Sequence, residues 1–409
     1  MPVESKEYKI NIDRLLIKHK RDKGKIDDKA EWTIFACVMN TMKKDDYEGL
    51  RMKNSYSQAY EIDFKGEGGV DRGGPFRESI ENMVDEIQSS TLPLLIPTQN
   101  HKNDHGFNRD CWTINPSSTS PHHLEMYKFL GALIGMAFRS GHVMDFRFPP
   151  IFWKAFIQEP LTIEDLASTD IYAVQAIRDL EKNKDQIPPD MFVDMMELTY
   201  TTQLSNGETV PLYEGGENIK VQHKDIDKYH ELILKVRFGE GKQQIQAIRK
   251  GFEIIFPMSY LNILSWEEVE ERVRGPSEIS VDALKSITNY TNCASNNEYV
   301  LRFWRVFTGF TNEERSMFLK FTWGRSRLPT IERLKDQQFK IALSNLGSAS
   351  NEHFPQSHTC YFTLDLPCYQ TDEKCRSKML YAITTCGSID TDAQRHNIAE
   401  AGGNYDDSD

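Results

Sequence analysis

The chain is 409 residues long with 39% hydrophobic and 27% charged side chains, a globular balance with enough length for two or three subdomains. Its 61 acidic against 49 basic side chains leave a formal net charge of -12, which disfavours nucleic acid and accommodates basic protein partners. No apolar run is long enough for a membrane span, the N-terminus has no secretory signal pattern, and seven scattered cysteines without a CxxC pair argue against a disulfide framework or zinc knuckle.

In chain order, YKINIDR reads as an extended lead-in and AEWTIFACVMNTM as a helix, because its apolar residues recur at near-helical spacing. FKGEGGVDRGGPFRESIENMVDEI follows as a glycine-dense loop running into an amphipathic helix, with a proline near the first turn and Ile80, Met83, Val84 and Ile87 on one face. Glycines ahead of a helix can cradle phosphate. Neither GEGGVDRGG nor GEGKQQ at Gly239 to Gln244 has a lysine followed by Ser or Thr, or a dinucleotide fingerprint, so both read as turns.

PHHLEMYKFLGALIGMAFRSGH, from Pro121, is apolar nearly all round and predicts a buried central helix, with Gly131, Ala132, Gly135 and Ala137 permitting close packing. His122 and His123 lack an HExxH spacing and read as surface or capping residues, so no metal or cofactor is expected. Between about Asp170 and Glu240, alternating residues with Asn-Gly and Gly-Gly turn signals lie between helical patches, as in a small α+β insertion. Its aromatics, Tyr229 and Phe238 among them, fit a binding module or a core equally.

Gly275-Pro276-Ser277 is the best linker, since glycine is permissive and proline stops the preceding helix. Beyond it, EYVLRFWRVFTGF and ERSMFLKFTWGRSRLP are helical, KIALSN and the stretch FPQSHTCYFTLDLPCYQ are strand-like, and EKCRSKMLYAITTC is a last helix. The ending GGNYDDSD is acidic and expected to be flexible.

In an extended segment residues two apart share a face, so His358 and Cys360 are expected to point one way and Thr359 the other. A histidine there can lower a thiol pKa from about 8.5 and raise its thiolate fraction. From spacing alone a buried, inert cysteine is the commoner outcome. Cys368 has no neighbouring base, and Cys375 and Cys386 fit packing positions in or beside the last helix.

FPQSHTCYFTLDLPCY resembles the active-site segment of HECT-type ubiquitin ligases, in which Thr-Cys precedes Leu-x-Leu-Pro-x-Tyr. VDRGGPFRE, YKFLGALIGMAFRSGH and FLKFTWGRSRLP resemble further stretches of that family in the same order, and FTWGRSRLP looks closer to the large HERC ligases than to the WW-domain ligases. The resemblance implies an α+β, bilobal fold. Its parts would be a mainly helical N-lobe over 1–274, carrying a small subdomain at about 170–240, a hinge at 275–278 around Gly275 and Pro276, a C-lobe over 279–392, and an acidic tail over 393–409.

It further implies that Cys360 accepts ubiquitin as a thioester from an E2 conjugating enzyme and passes it to a lysine of a protein substrate, with His358 and Thr359 positioning or polarising around the sulfur. Met195, Tyr229 and Ile233 would lie in the E2 groove, a location in the cytoplasm that permits nuclear presence is expected, and no cofactor is implied. Arg77 and Glu78 would form ion pairs within the N-lobe, and Asp365 would be a solvated face residue. The chain departs from the family pattern at Phe362, where Asn is frequent, at Phe354-Pro355 in place of Leu-Pro, and at Asp406, where many relatives have Phe. Two other readings compete: a cysteine hydrolase acting on ubiquitin-like modifiers, and a catalytically silent docking module.

Overall fold

Apolar residues on every side of one helix demand partners on every side, and the computed structural model, which describes residues 8–22, 30–53, 57–66, 74–335, 337–344 and 347–385, is built around that demand. The helix Pro121–Ser140 starts where the Ser120 side chain accepts from the His123 amide and ends at Gly141, whose φ of 80° closes the last turn. It is buried continuously from Phe129 to Phe138. Its main partner is the helix Lys242–Ile255, whose buried stripe includes Ile245, Ile248, Phe252 and Ile255.

Glycines let these two helices meet backbone to backbone. A Cβ on Gly131 would overlap the carbonyl oxygen of Ile248, and one on Gly251 would overlap that of Lys128. The expected close packing at Gly131 and Gly135 is therefore present, and Gly251 supplies the facing notch.

Around this pair lie a parallel two-stranded ribbon, Lys9–Ile12 with Glu61–Phe64, and the helices Ile34–Met42, Gly74–Ile87, Pro150–Ile157 and Trp266–Arg274. Their apolar faces form one continuous core. Ile80, Met83, Val84 and Ile87 are all buried in it, as the amphipathic pattern predicts. A further helix, Arg14–Asp22, follows the first strand and had no separate signal in the sequence reading.

A second core, from Ile279 to Ile383, joins a four-stranded sheet to the helices Glu298–Thr308, Asn312–Trp323 and Asp372–Thr385. The strand order is Thr288–Thr291, Phe339–Ser344, Thr363–Pro367, Gln356–His358; the first three are parallel and the last is antiparallel to its neighbour. A third, smaller cluster gathers Ile177, Phe192, Tyr200, Val221, Tyr229 and Ile233 beside the hairpin Thr201–Gln203/Thr209–Pro211. Helices with small, separate sheets make the class α+β.

Gly275, read from sequence as permissive linker, has φ 78° and is tightly seated: a Cβ there would overlap the Leu328 carbonyl oxygen. Among the described residues no helix is long and apolar enough to cross a membrane. The acidic tail, Asp406 and Cys386 lie outside the described residues.

Candidate active site

The cysteine segment folds as a hairpin. Gln356–His358 pairs antiparallel with Thr363–Pro367, His358 standing opposite Thr363, and Thr359 to Phe362 form the connection. Thr359–Tyr361 is a 3₁₀ turn, and Phe362 follows it in the left-handed region at φ 48°, its amide donating to the Thr359 carbonyl at 3.4 Å. A tight turn ending in a left-handed residue is a common way to close a short hairpin. Cys360 occupies the second position of that connection; its side chain lies outside what the structure describes.

This corrects the sequence reading of a continuous extended segment. The strand stops at His358, so the two-residue repeat does not run on to Cys360 and does not set their relative facing. His358 instead has its Nε2 3.0 Å from Oδ2 of Asp365. Asp365 lies two residues beyond Thr363 on the same face, within reach of a diagonal cross-strand contact. Asp365 is therefore the carboxylate partner of His358 and not a freely solvated side chain.

Phe362 has an observable role. A bulky side chain in the left-handed region is sterically costly, and something must hold it. Its ring lies buried against Trp323, with centroids 4.4 Å apart and planes 6° from parallel, and against Phe339 at 4.7 Å. The Arg325 guanidinium sits over the other partner in the stack, 4.4 Å from the Trp323 centroid. The FTWGRSRLP run thus anchors the end of the cysteine turn.

The beginning of that turn is touched from the other core. Arg77, half-buried on the helix Gly74–Ile87, donates from a terminal guanidinium nitrogen to the Thr359 carbonyl at 3.4 Å. Glu78, its neighbour, pairs with Arg14 as an internal ion pair. The expectation for VDRGGPFRE is met at Glu78, while Arg77 also reaches across to the cysteine turn; Gly73 lies outside the described residues.

Charged groups line the seam between the two cores. Asp145 lies 2.8 Å from Arg274 and 3.0 Å from Arg327; burial opposes its ionisation, but the two guanidiniums outweigh that and hold its pKa below the usual carboxylate value. Lys320 lies 3.9 Å from Asp85. Burial pushes the Glu81 carboxyl up to about 8, with Lys320 and Arg325 opposing the shift and Asp85 and Asp145 adding to it. His142 is kept neutral by burial and by the nearby Arg325 and Arg77 cations.

The E2 candidates separate into two environments. Tyr229 and Ile233 are buried in the third cluster yet both line a cleft of about 580 Å³ with Tyr172, Ile177, Met196 and Leu198. Met195 is 58% exposed and is not part of that lining, which its neighbour Met196 joins. Cys368 and Cys375 are buried, and burial raises both thiols, Cys375 to about 12, which fits packing roles. Among the described residues no group of three His, Cys, Asp or Glu side chains could hold a metal ion.

Comparison with known proteins decides the family. Residues 81–391 match the HECT-domain (ubiquitin-transferase) family. The chain belongs to the HECT family. It is 31% identical over 388 residues to the E3 ubiquitin-protein ligase HERC2 of Mus musculus, covering 94% of this chain and 8% of that protein. It is also 29% identical over 356 residues to the Mus musculus E3 ubiquitin-protein ligase HUWE1, covering 84% of this chain and 8% of the relative. With the E3 ubiquitin-protein ligase RSP5 of Chaetomium thermophilum it shares 28% identity over 332 residues, 79% of this chain and 38% of the relative. A HERC protein is thus among the relatives, and this HECT chain spans under a tenth of HERC2 and HUWE1.

Sequence reading found the cysteine segment but not its hairpin turn, nor Arg77, Trp323 or Arg325 as its supports. The available signal was their presence in two of the family-like stretches, VDRGGPFRE and FLKFTWGRSRLP.

Proposed function

We propose that this chain is the catalytic part of a ubiquitin ligase that carries ubiquitin as a thioester on Cys360 and transfers it to a substrate lysine. The observation that carries the reading is Cys360 at a hairpin tip within a segment, His358 to Pro367, that follows the family's active-site pattern in a chain of that family. In the first step the Cys360 thiolate attacks the carbonyl carbon of the E2-bound thioester; the new S–C bond forms and the E2 thiolate leaves. In the second, a lysine nitrogen attacks the same carbon, the C–S electron pair returns to Cys360, and the amine proton must be taken up.

His358 is the group we assign to that proton or to orienting the acceptor. With Nε2–H donating to Asp365, the lone pair lies on Nδ1, the tautomer a base requires. Thr359 acts through its main-chain carbonyl. Phe362 brings no amide to the site, but its seat on Trp323 gives the turn a fixed end, which favours a working site over a silent module.

The E2 is assigned to the 170–240 segment, with Tyr229 and Ile233 at the cleft and Met195 on the adjoining exposed surface, since a few aromatic and aliphatic anchors dominate such interfaces. The N-lobe over 1–274 and the C-lobe over 279–392 would then move about Gly275 and Pro276 between the two steps, on a microsecond to millisecond scale. Ubiquitin, the E2 and a lysine-bearing protein in the cytoplasm complete the reaction, and no cofactor takes part.

A single-turnover assay with charged E2 enzymes tests this, comparing non-reducing and reducing gels for wild type, Cys360→Ala and Cys368→Ala. The expected result is a thiol-sensitive ubiquitin adduct lost only in Cys360→Ala; an adduct that survives that substitution, or none with a broad E2 panel, sinks the proposal.

A further inference from the structure

We infer that Arg77 is a positioning residue for the second step, transfer from Cys360 to lysine, with little part in the first; this rests on the thioester reading above. Its helix, Gly74–Ile87, packs in one core, and the hairpin whose carbonyl it contacts packs in the other, 282 residues away in sequence. The contact therefore exists only while the two cores are apposed as in this structure.

The acceptor gives the contact a chemical meaning. The Thr359 carbonyl and the Cys360 amide belong to one planar peptide unit, with C=O and N–H pointing in opposite directions. A guanidinium on that carbonyl both fixes the orientation of the unit and draws charge toward the oxygen, making the Cys360 N–H a stronger donor. The turn also supplies a bond to this carbonyl, the 3.4 Å donation from the Phe362 amide.

A nucleophile's own amide is suitably placed to donate to the oxyanion that forms on the carbon bonded to its side chain. With Phe362 two residues on, the side chain at that position offers no donor, so the main-chain donor carries more of the task. The far end of the turn is held by the Trp323 stack, and the near end by Arg77. His142, kept neutral by burial and by the Arg325 and Arg77 cations, lies near this junction, and the Thr359 carbonyl oxygen accepts from Arg77 there.

The two steps differ in what they need. Thioester exchange passes an acyl group between two thiolates of similar basicity, whereas aminolysis uses an amine with an unperturbed pKa of about 10.4 that must lose a proton. Alignment of the turn should matter most where the barrier is higher. Arg77→Gln removes the charge and the fork; Arg77→Lys keeps the charge and part of the reach.

The experiment forms the Cys360 thioester with a charged E2 in wild type, Arg77→Gln and Arg77→Lys, then chases it with free lysine over pH 6.5 to 9, with thermal melts to show that each variant is folded. Loading is expected within about twofold of wild type in both, and discharge slowed about tenfold in Arg77→Gln at every pH, with partial recovery in Arg77→Lys. Equal slowing of loading and discharge, or discharge of Arg77→Gln at the wild-type rate, overturns the inference. Failure of wild type to form any adduct is seen before the variants are compared and overturns the thioester reading together with this one.

Discussion

The central helix pair and the seam beside the cysteine turn are both contacts between well-packed helices, yet they are made from opposite materials. At the pair, Gly131 and Gly251 let main chains touch within a large apolar core. At the seam, Arg327, Lys320 and Arg77 reach from one core to the carboxylates or carbonyl of the other. An apolar, interdigitated contact loses dispersion and solvent exclusion as soon as it opens, whereas charged groups regain water, so the first suits a permanent frame and the second a contact that can part.

The sharpest way to break this comparison is at the frame. Gly251→Val would drive a side chain into the Lys128 carbonyl, and the expected cost is on the order of 3–5 kcal/mol or failure to fold, read from soluble yield and urea unfolding. A fully folded Gly251→Val protein would mean the helices are not in main-chain contact. Phe362→Asn tests the anchor of the turn: relief of left-handed strain returns roughly 1 kcal/mol, while the lost ring burial and stacking cost roughly 2–3, for a net loss of about 1–2 kcal/mol confined to the second core.

Arg327→Ala addresses the seam itself. Asp145 keeps Arg274, so the expected loss of global stability is only about 1 kcal/mol, but small-angle scattering should show a larger average dimension as the cores separate more often. Unchanged scattering would argue that the seam is as permanent as the frame.

Below pH 4.5, where the folded and unfolded states both hold the proton, the smallest effect is expected from Glu81→Gln; above it the effect grows with pH. Its folded pKa of about 8 lies above the ordinary 4.5, so the folded state holds a proton that the unfolded state has released, and stability falls as pH rises between those values. The slope cannot exceed about 1.4 kcal/mol per pH unit for one proton. The glutamine variant should flatten thermal melts across pH 4.5 to 8, and a parallel slope in both proteins would remove Glu81 as the cause.

The expected pH response shows why the seam was hard to read in the sequence. Glu81 looks like any polar residue on an amphipathic helix; burial at the seam raises its carboxyl, with Lys320 and Arg325 opposing and Asp85 and Asp145 adding, and that surrounding is assembled from separate parts of the chain. Asp365 looked solvated for the same reason, since its partner lies across a strand pair whose register the turn decides. The cysteine segment was legible because its residues alternate and match a family pattern, but the hairpin was not, since the 3₁₀ turn at Thr359–Tyr361 carries no Gly, Asn or Pro to announce it.

Local pattern was enough to determine the central helix, the amphipathic helix after the glycine loop and the strand-like character of the cysteine segment, because periodicity and turn chemistry act over a few residues at a time, while the α+β class came from the family resemblance. The tertiary structure alone decided that Phe362 stacks on Trp323, that Asp365 holds His358 and that Arg77 reaches the Thr359 carbonyl. Those contacts depend on the relative placement of whole elements, set by core packing far from the residues that meet, and no short stretch of sequence contains that information.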